Sequence, residues 1–188
     1  MRRTIAYAAL IWALGPVWAE AEVMDSAANG FTVRILTTIH AAPADIYGRL
    51  AHNIGDWWSS EHTFSGNAHN LSVDERPLGC FCEKLPNQGS VRHMEVLFVA
   101  PGKTLRMSGA LGPLQALGAA GTLTFALTAA GDGTQLEATY AVGGYSPEGM
   151  ASWAAPVNAM LTEQVTRLKN YIETGNPGTP EEKEKKHP

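Results

Sequence analysis

The chain has 188 residues, 45% of them hydrophobic and 17% charged, with a formal net charge of −4. At this length one core buries roughly 68–70% of the surface the unfolded chain exposes, so folding requires neither a disulfide framework nor a structural metal. No basic block interleaved with aromatic residues is present, which removes the electrostatic footprint of a nucleic-acid binder.

Residues 1–21 have the layout of a secretory signal peptide: Arg2 and Arg3 open a basic end, Ile5 to Val17 is apolar, and small residues at Ala19 and Ala21 offer cleavage positions. The apolar run is shorter than the ~20 residues that span a bilayer, and Gly15-Pro16 closes it. The expectation is export to the periplasm or beyond, with no transmembrane segment after cleavage. The mature domain is expected over residues 22–175. Phe31, Val33, Ile35, Thr37 and Ile39 alternate with Thr32, Arg34, Leu36 and Thr38, which predicts a first strand with one buried face. Pro43 sits at a helix start, Ile46, Tyr47 and Leu50 share a helical face, and Asn53 to Trp58 forms a second short helix.

Six more strands follow, at Leu71 to Glu75, Gly79 to Leu85, Val91 to Val99, Thr104 to Gly109, Thr122 to Thr128 and Thr134 to Val142, separated by Pro- and Gly-bearing turns. Gly131-Asp132-Gly133 is a hairpin signal and makes the last pair antiparallel. From Val157 to Ile172, apolar residues spaced by three and four trace one face of a long helix, which Gly175 ends. Residues 176–188 hold prolines and charge but almost nothing a core could bury, so a disordered tail is expected.

Strand, two short helices, six strands and a terminal helix form an α+β arrangement in which a curved seven-stranded antiparallel sheet wraps one helix. With Ala42-Pro43-Ala44-Asp45-Ile46-Tyr47, Trp57-Trp58, Gly79-Cys80-Phe81-Cys82-Glu83, Pro101-Gly102-Lys103-Thr104-Leu105-Arg106 and the amphipathic terminal helix, residues 30 to 174 resemble the START-like, or SRPBCC, superfamily. That superfamily includes polyketide cyclase/dehydrase and lipid-transport proteins and relatives of heat-shock ATPase activators. The resemblance implies a helix-grip fold with a cavity between sheet and helix that takes a hydrophobic ligand such as a lipid, an isoprenoid or a polyketide-like molecule. Fold alone does not fix a reaction.

Cys80 and Cys82 lie two apart on a predicted strand and therefore share a face. An extended backbone disfavours a disulfide between them, because it does not bring the Cβ atoms to ~3.5–4.5 Å. The hairpin to Val91–Val99 leaves two registers open. In one, Cys82 faces His93 and Cys80 faces Glu95, so that Cys80, Cys82 and His93 form a ligand set suited to zinc. In the other, Glu83 faces His93 and Phe81 faces Glu95. Two inert core cysteines are the plainer alternative to a metal site. His93 and Glu95, placed by alternation on one face, need partners or a ligand there. His62, in a polar loop, is a third metal ligand, an acid/base group or a plain surface histidine. Trp57 and Trp58 either cap a ligand or close the helix pair on the core, Leu114 belongs to an apolar Gly/Pro-rich segment suited to a cavity wall, and Met107, Phe125, Tyr140, Met160 and Gln164 are lining candidates by periodicity. Two functions remain open: an exported carrier of a small hydrophobic molecule, and a cyclase, dehydratase or hydrolase using His62, His93 and Glu95 or Glu83 for proton transfer.

Overall fold

The structure, a computed structural model, describes residues 20–178. The predicted signal segment before Glu20 and the last ten residues of the predicted tail lie outside them. Eight antiparallel strands form one sheet: β1 (Glu20–Ala27), β2 (Gly30–Ile39), β3 (Leu71–Val73), β4 (Cys80–Lys84), β5 (Ser90–Ala100), β6 (Thr104–Gly109), β7 (Gly118–Ala130) and β8 (Gly133–Tyr145). Their spatial order is β1-β2-β8-β7-β6-β5-β4-β3. Helices α1 (Pro43–His52) and α2 (Ile54–Trp57) follow β2, and α3 (Ala154–Thr174) ends the domain.

The strand count is eight rather than the expected seven. The additional strand, β1, is exposed at every position and carries a register shift between Val23 and Asp25. A strand that buries nothing and contains a bulge has no period-two pattern to read; it is held by backbone pairing to β2.

The buried face of the sheet runs from Phe31, Val33 and Ile35 of β2 across Tyr140 and Ala138 of β8 and Leu123 and Phe125 of β7 to Met107, Val96 and Phe81. Helix α3 packs over the β2 end of this face and buries Val157, Leu161, Gln164, Val165 and Leu168. Gly175, at φ 75°, receives the helix end in the left-handed conformation, its N–H donating to Tyr171 O. Polar ties fix the grip: Gln164 Oε1 accepts the Ser59 N–H at 2.8 Å, and Arg167 Nε donates to Trp57 O at 2.9 Å.

Neither expected register holds along the whole β4–β5 hairpin. Near the turn Lys84 faces Ser90 and Cys82 faces Arg92, whereas beyond it Phe81 faces Met94 and Cys80 faces Glu95. His93 is the extra residue of a β-bulge, so His93 and Met94, though consecutive, are both buried. Gly109 of β6 lies against this bulge, where a Cβ would come within 2.4 Å of the His93 carbonyl oxygen. A side chain at 109 would therefore push β6 off the bulged strand.

Candidate functional site

A pocket of about 610 Å³ opens where the far end of the sheet parts from the N-terminal half of α3. Its floor is Phe81 of β4 and His93 of β5, one wall is the segment Glu61–Phe64 with Trp58, and another is Leu111–Leu114; Trp153, Val157 and Met160 close the helix side. The Glu61–Phe64 wall is pinned twice: Trp58 Nε1 donates to His62 O at 3.1 Å, and His62 Nε2 pairs with Glu163 Oε2 of α3 at 3.0 Å. The Leu111–Leu114 wall is anchored by Tyr140. Its hydroxyl donates to Gly109 O and accepts the Leu111 N–H, and burial pushes the phenol up to about 12.

At the floor, His93 Nε2 lies 3.0 Å from Glu83 Oε2, with the side chains 5% and 0% exposed. Glu83 also accepts the backbone N–H groups of Phe64 and Ser65, so one carboxylate organises both the pocket wall and the imidazole. Burial alone would raise the Glu83 carboxyl, but hydrogen bonds from Ser65, Phe64 and His93 outweigh it and hold the group below its ordinary value. His93 is held below its ordinary value by burial, which exceeds the opposing pull of Glu83. The pair at neutral pH is thus a carboxylate and a neutral imidazole. Phe81 and Phe64 hold the ring in place, with centroids 4.9 Å and 5.9 Å away.

Of the expected site residues, His62, His93, Trp58, Leu114 and Met160 line the pocket, and Glu83 stands directly behind His93. The others do not line it. Glu95 is on the opposite face of the sheet, paired with Arg92 at 3.1 Å, because the bulge breaks the alternation that would have kept it with His93. Trp57 turns into the core and donates to Arg49 O, while Met107 and Phe125 border only a separate void of about 10 Å³. Tyr140 spends its hydroxyl on the backbone bonds described above, and Gln164 accepts from Ser59 N–H and donates from Nε2 to Met160 O at 3.4 Å.

The Cys80/Cys82/His93 metal set is corrected by the same bulge. The cysteines stand on the outer face, His93 on the inner one, and Cys80 and Cys82 form a disulfide. Their Cα atoms are 5.3 Å apart, short of the ~6.6 Å of two extended residues and inside the range a disulfide spans. The strand is contracted where the reading from sequence assumed full extension. Among the described residues no group of three His, Cys, Asp or Glu side chains is placed to hold a metal ion. Protein isolated without reductant is expected to show no titratable thiol until it is denatured and reduced, and adding zinc is expected to leave its melting temperature unchanged. Thiols that react in the untreated protein would contradict the disulfide.

Missed by the sequence reading were Phe64, Phe81, Trp153 and Val157 as lining, and Gln115 and Glu163 as partners of His93 and His62. The i, i+4 spacing of Trp153 and Val157 at the start of a helix is the signal that could have found the last two linings.

Sheet, gripped helix and the pocket between them define a helix-grip fold. The chain is similar in structure to a conserved protein of unknown function from Enterococcus faecalis, with a TM-score of 0.58 and 18% identity over 87% of this chain and 81% of that one. It is also similar to DynU16, a protein of the dynemicin biosynthetic locus, with a TM-score of 0.57 and 20% identity over 78% of this chain and 48% of that one. The Aha1 dimer from Colwellia psychrerythraea gives a TM-score of 0.55 and 18% identity over 77% of this chain and 97% of that one. These likenesses establish the fold. No family model and no curated protein matches the chain. No helix among the described residues is long and apolar enough to cross a membrane.

Proposed function

We propose that this is an exported protein that binds or carries a small, largely apolar molecule, such as a lipid, an isoprenoid or a polyketide-like compound, in the pocket between sheet and α3. The observation that carries the reading is the pocket itself: about 610 Å³, walled by Trp58, Phe64, Phe81, Leu114, Val157 and Met160, with polar side chains confined to His93 on the floor and Glu61–Thr63 on one wall. Volume and lining match what small-molecule sites require, an apolar enclosure with a few placed polar groups. The fold's presence in a biosynthetic locus, in DynU16, supports a small molecule over a macromolecular partner.

Export is supported by the N-terminal layout and by the Cys80–Cys82 disulfide, a bond that persists in oxidising compartments. Cleavage after Ala21 would remove Glu20 and Ala21, which face Leu36 and Ile35 of β2.

The test uses the apolar fluorophore N-phenyl-1-naphthylamine as probe. Its fluorescence is expected to rise saturably with the protein, and Met160→Trp, which fills the pocket from α3, is expected to weaken binding about tenfold, or ~1.4 kcal/mol. Native mass spectrometry of protein released from the periplasm is expected to show a co-purifying apolar molecule. Absence of saturable probe binding would sink the reading.

A further inference from the structure

Beyond binding, and resting on the same pocket, the geometry of its floor points to chemistry: we infer that His93 is a general base whose Nδ1 takes a proton from an uncharged, planar, apolar substrate, with Glu83 as its positioning residue. Two partners fix the tautomer independently. Glu83, a carboxylate, can only accept, so His93 Nε2 carries the hydrogen toward it. The Gln115 amide nitrogen, which can only donate, lies 3.4 Å from Nδ1, so that nitrogen presents its lone pair. This long contact from an exposed residue of the short 3-10 helix Gly112–Ala116 is weak and readily displaced.

The remaining features serve a base. The imidazole is neutral when it needs to accept a proton, and once it has done so the resulting cation lies against a carboxylate already satisfied by two backbone N–H groups. The carboxylate's depressed pKa keeps it from removing the Nε2 hydrogen. Phe64 lies stacked on the ring at an interplanar angle of 28°, and Phe81 flanks it at 34°, which makes an aromatic surface suited to a flat substrate. Negatively charged substrates are disfavoured by Glu83 and by Glu61 on the wall. A histidine present only to satisfy Glu83 would have no reason to line the pocket with its second nitrogen unclaimed by the core.

The probe is 5-nitrobenzisoxazole, an uncharged planar C–H acid. A base removes the C3 proton, the C–H electron pair becomes part of the nitrile, the N–O bond breaks, and its pair leaves on oxygen as a yellow cyanonitrophenolate. With the full-length mature protein, kcat/KM is expected to rise with pH through a midpoint below 6.5 and then level off. The other titratable groups at the pocket are Glu61 and His62, the latter paired with Glu163. His93→Phe is expected to lose about 100-fold in kcat with a cooperative melt retained. Glu83→Gln is expected to move the pH midpoint downward, because the carboxylate that favours the imidazolium is gone; a purely structural Glu83 would leave it in place. Gln115→Ala, at an exposed position of the same 3-10 helix, tests the same nitrogen without touching the core and is expected to raise the rate several-fold.

Fluorophore binding without turnover, an unchanged rate in His93→Phe, or a wild-type profile that climbs into the alkaline range would overturn the general base and leave the binding reading intact. Failure of the fluorophore to bind would overturn both.

Discussion

A chain ending at Ser152 is expected to lack a cooperative unfolding transition and to bind hydrophobic dyes indiscriminately. The truncation removes α3, and with it the burial of Val157, Leu161, Val165 and Leu168. Each such side chain contributes ~1.5–3 kcal/mol, so the four account for ~6–12 kcal/mol. That is comparable to the whole stability of a domain, ~5–15 kcal/mol. The loss is compounded on the other side of the interface, where Phe31, Val33 and Ile35 of β2 would face water. The Ser59 N–H and the Trp57 carbonyl also lose their α3 partners, Gln164 and Arg167. Differential scanning calorimetry and near-ultraviolet circular dichroism check this. A chain ending at Gly175 serves as the control and is expected to melt like the untruncated protein, since it keeps the left-handed glycine that terminates α3. A sharp transition in the shorter chain would show that the sheet does not depend on the helix it grips.

Where one face of an element is buried, the sequence states it plainly. The alternation of Phe31 to Ile39 and the three-four spacing of Val157 to Leu168 each follow from a single repeating geometry, and both elements stand where those patterns put them. Elements without a buried face left no such record, as β1 demonstrates. The site was harder to read for a different reason: it depends on a count. Whether His93 joins Glu83 on the inner face or Cys80 and Cys82 on the outer one depends on one extra residue opposite Cys82. A shift of one residue reverses every side chain beyond it, and no residue type signals the place unambiguously. Gly109 is the one trace, a glycine where the bulged strand comes too close for a Cβ. The same contraction made the Cys80–Cys82 bond reachable when an ideal strand would have forbidden it. Trp57 and Trp58 illustrate the limit at a helix end: adjacent in sequence, they diverge, one into the core and one into the pocket.

Replacing Glu83 with Ala is expected to destabilise the protein by ~3–5 kcal/mol, the summed cost of the donors it leaves without an acceptor. The residue has no exposed side-chain surface, and its loss leaves three donors without an acceptor: His93 Nε2–H and the N–H groups of Phe64 and Ser65. Each buried donor left unsatisfied costs ~1–3 kcal/mol. At ~2–4 °C per kcal/mol for a domain of this size, the melting temperature should fall by roughly 6–20 °C. Glu83→Gln keeps the volume but sets an amide NH2 among donors, so an intermediate loss is expected. The pH dependence provides a second readout. Because the folded carboxyl sits below its ordinary 4.5, its stabilising contribution is complete above that value and disappears as pH falls below it. His93, also lowered on folding, acts in the same direction from a higher start: below 6.5 the unfolded chain takes up a proton more readily than the native one, and stability declines as pH falls. Wild-type protein should therefore lose stability in two stages on acidification, and Glu83→Ala should lack the second. A variant melting within about 2 °C of wild type, with both stages intact, would mean that the loop amides and His93 are satisfied without Glu83 and that the floor of the pocket is held by packing alone.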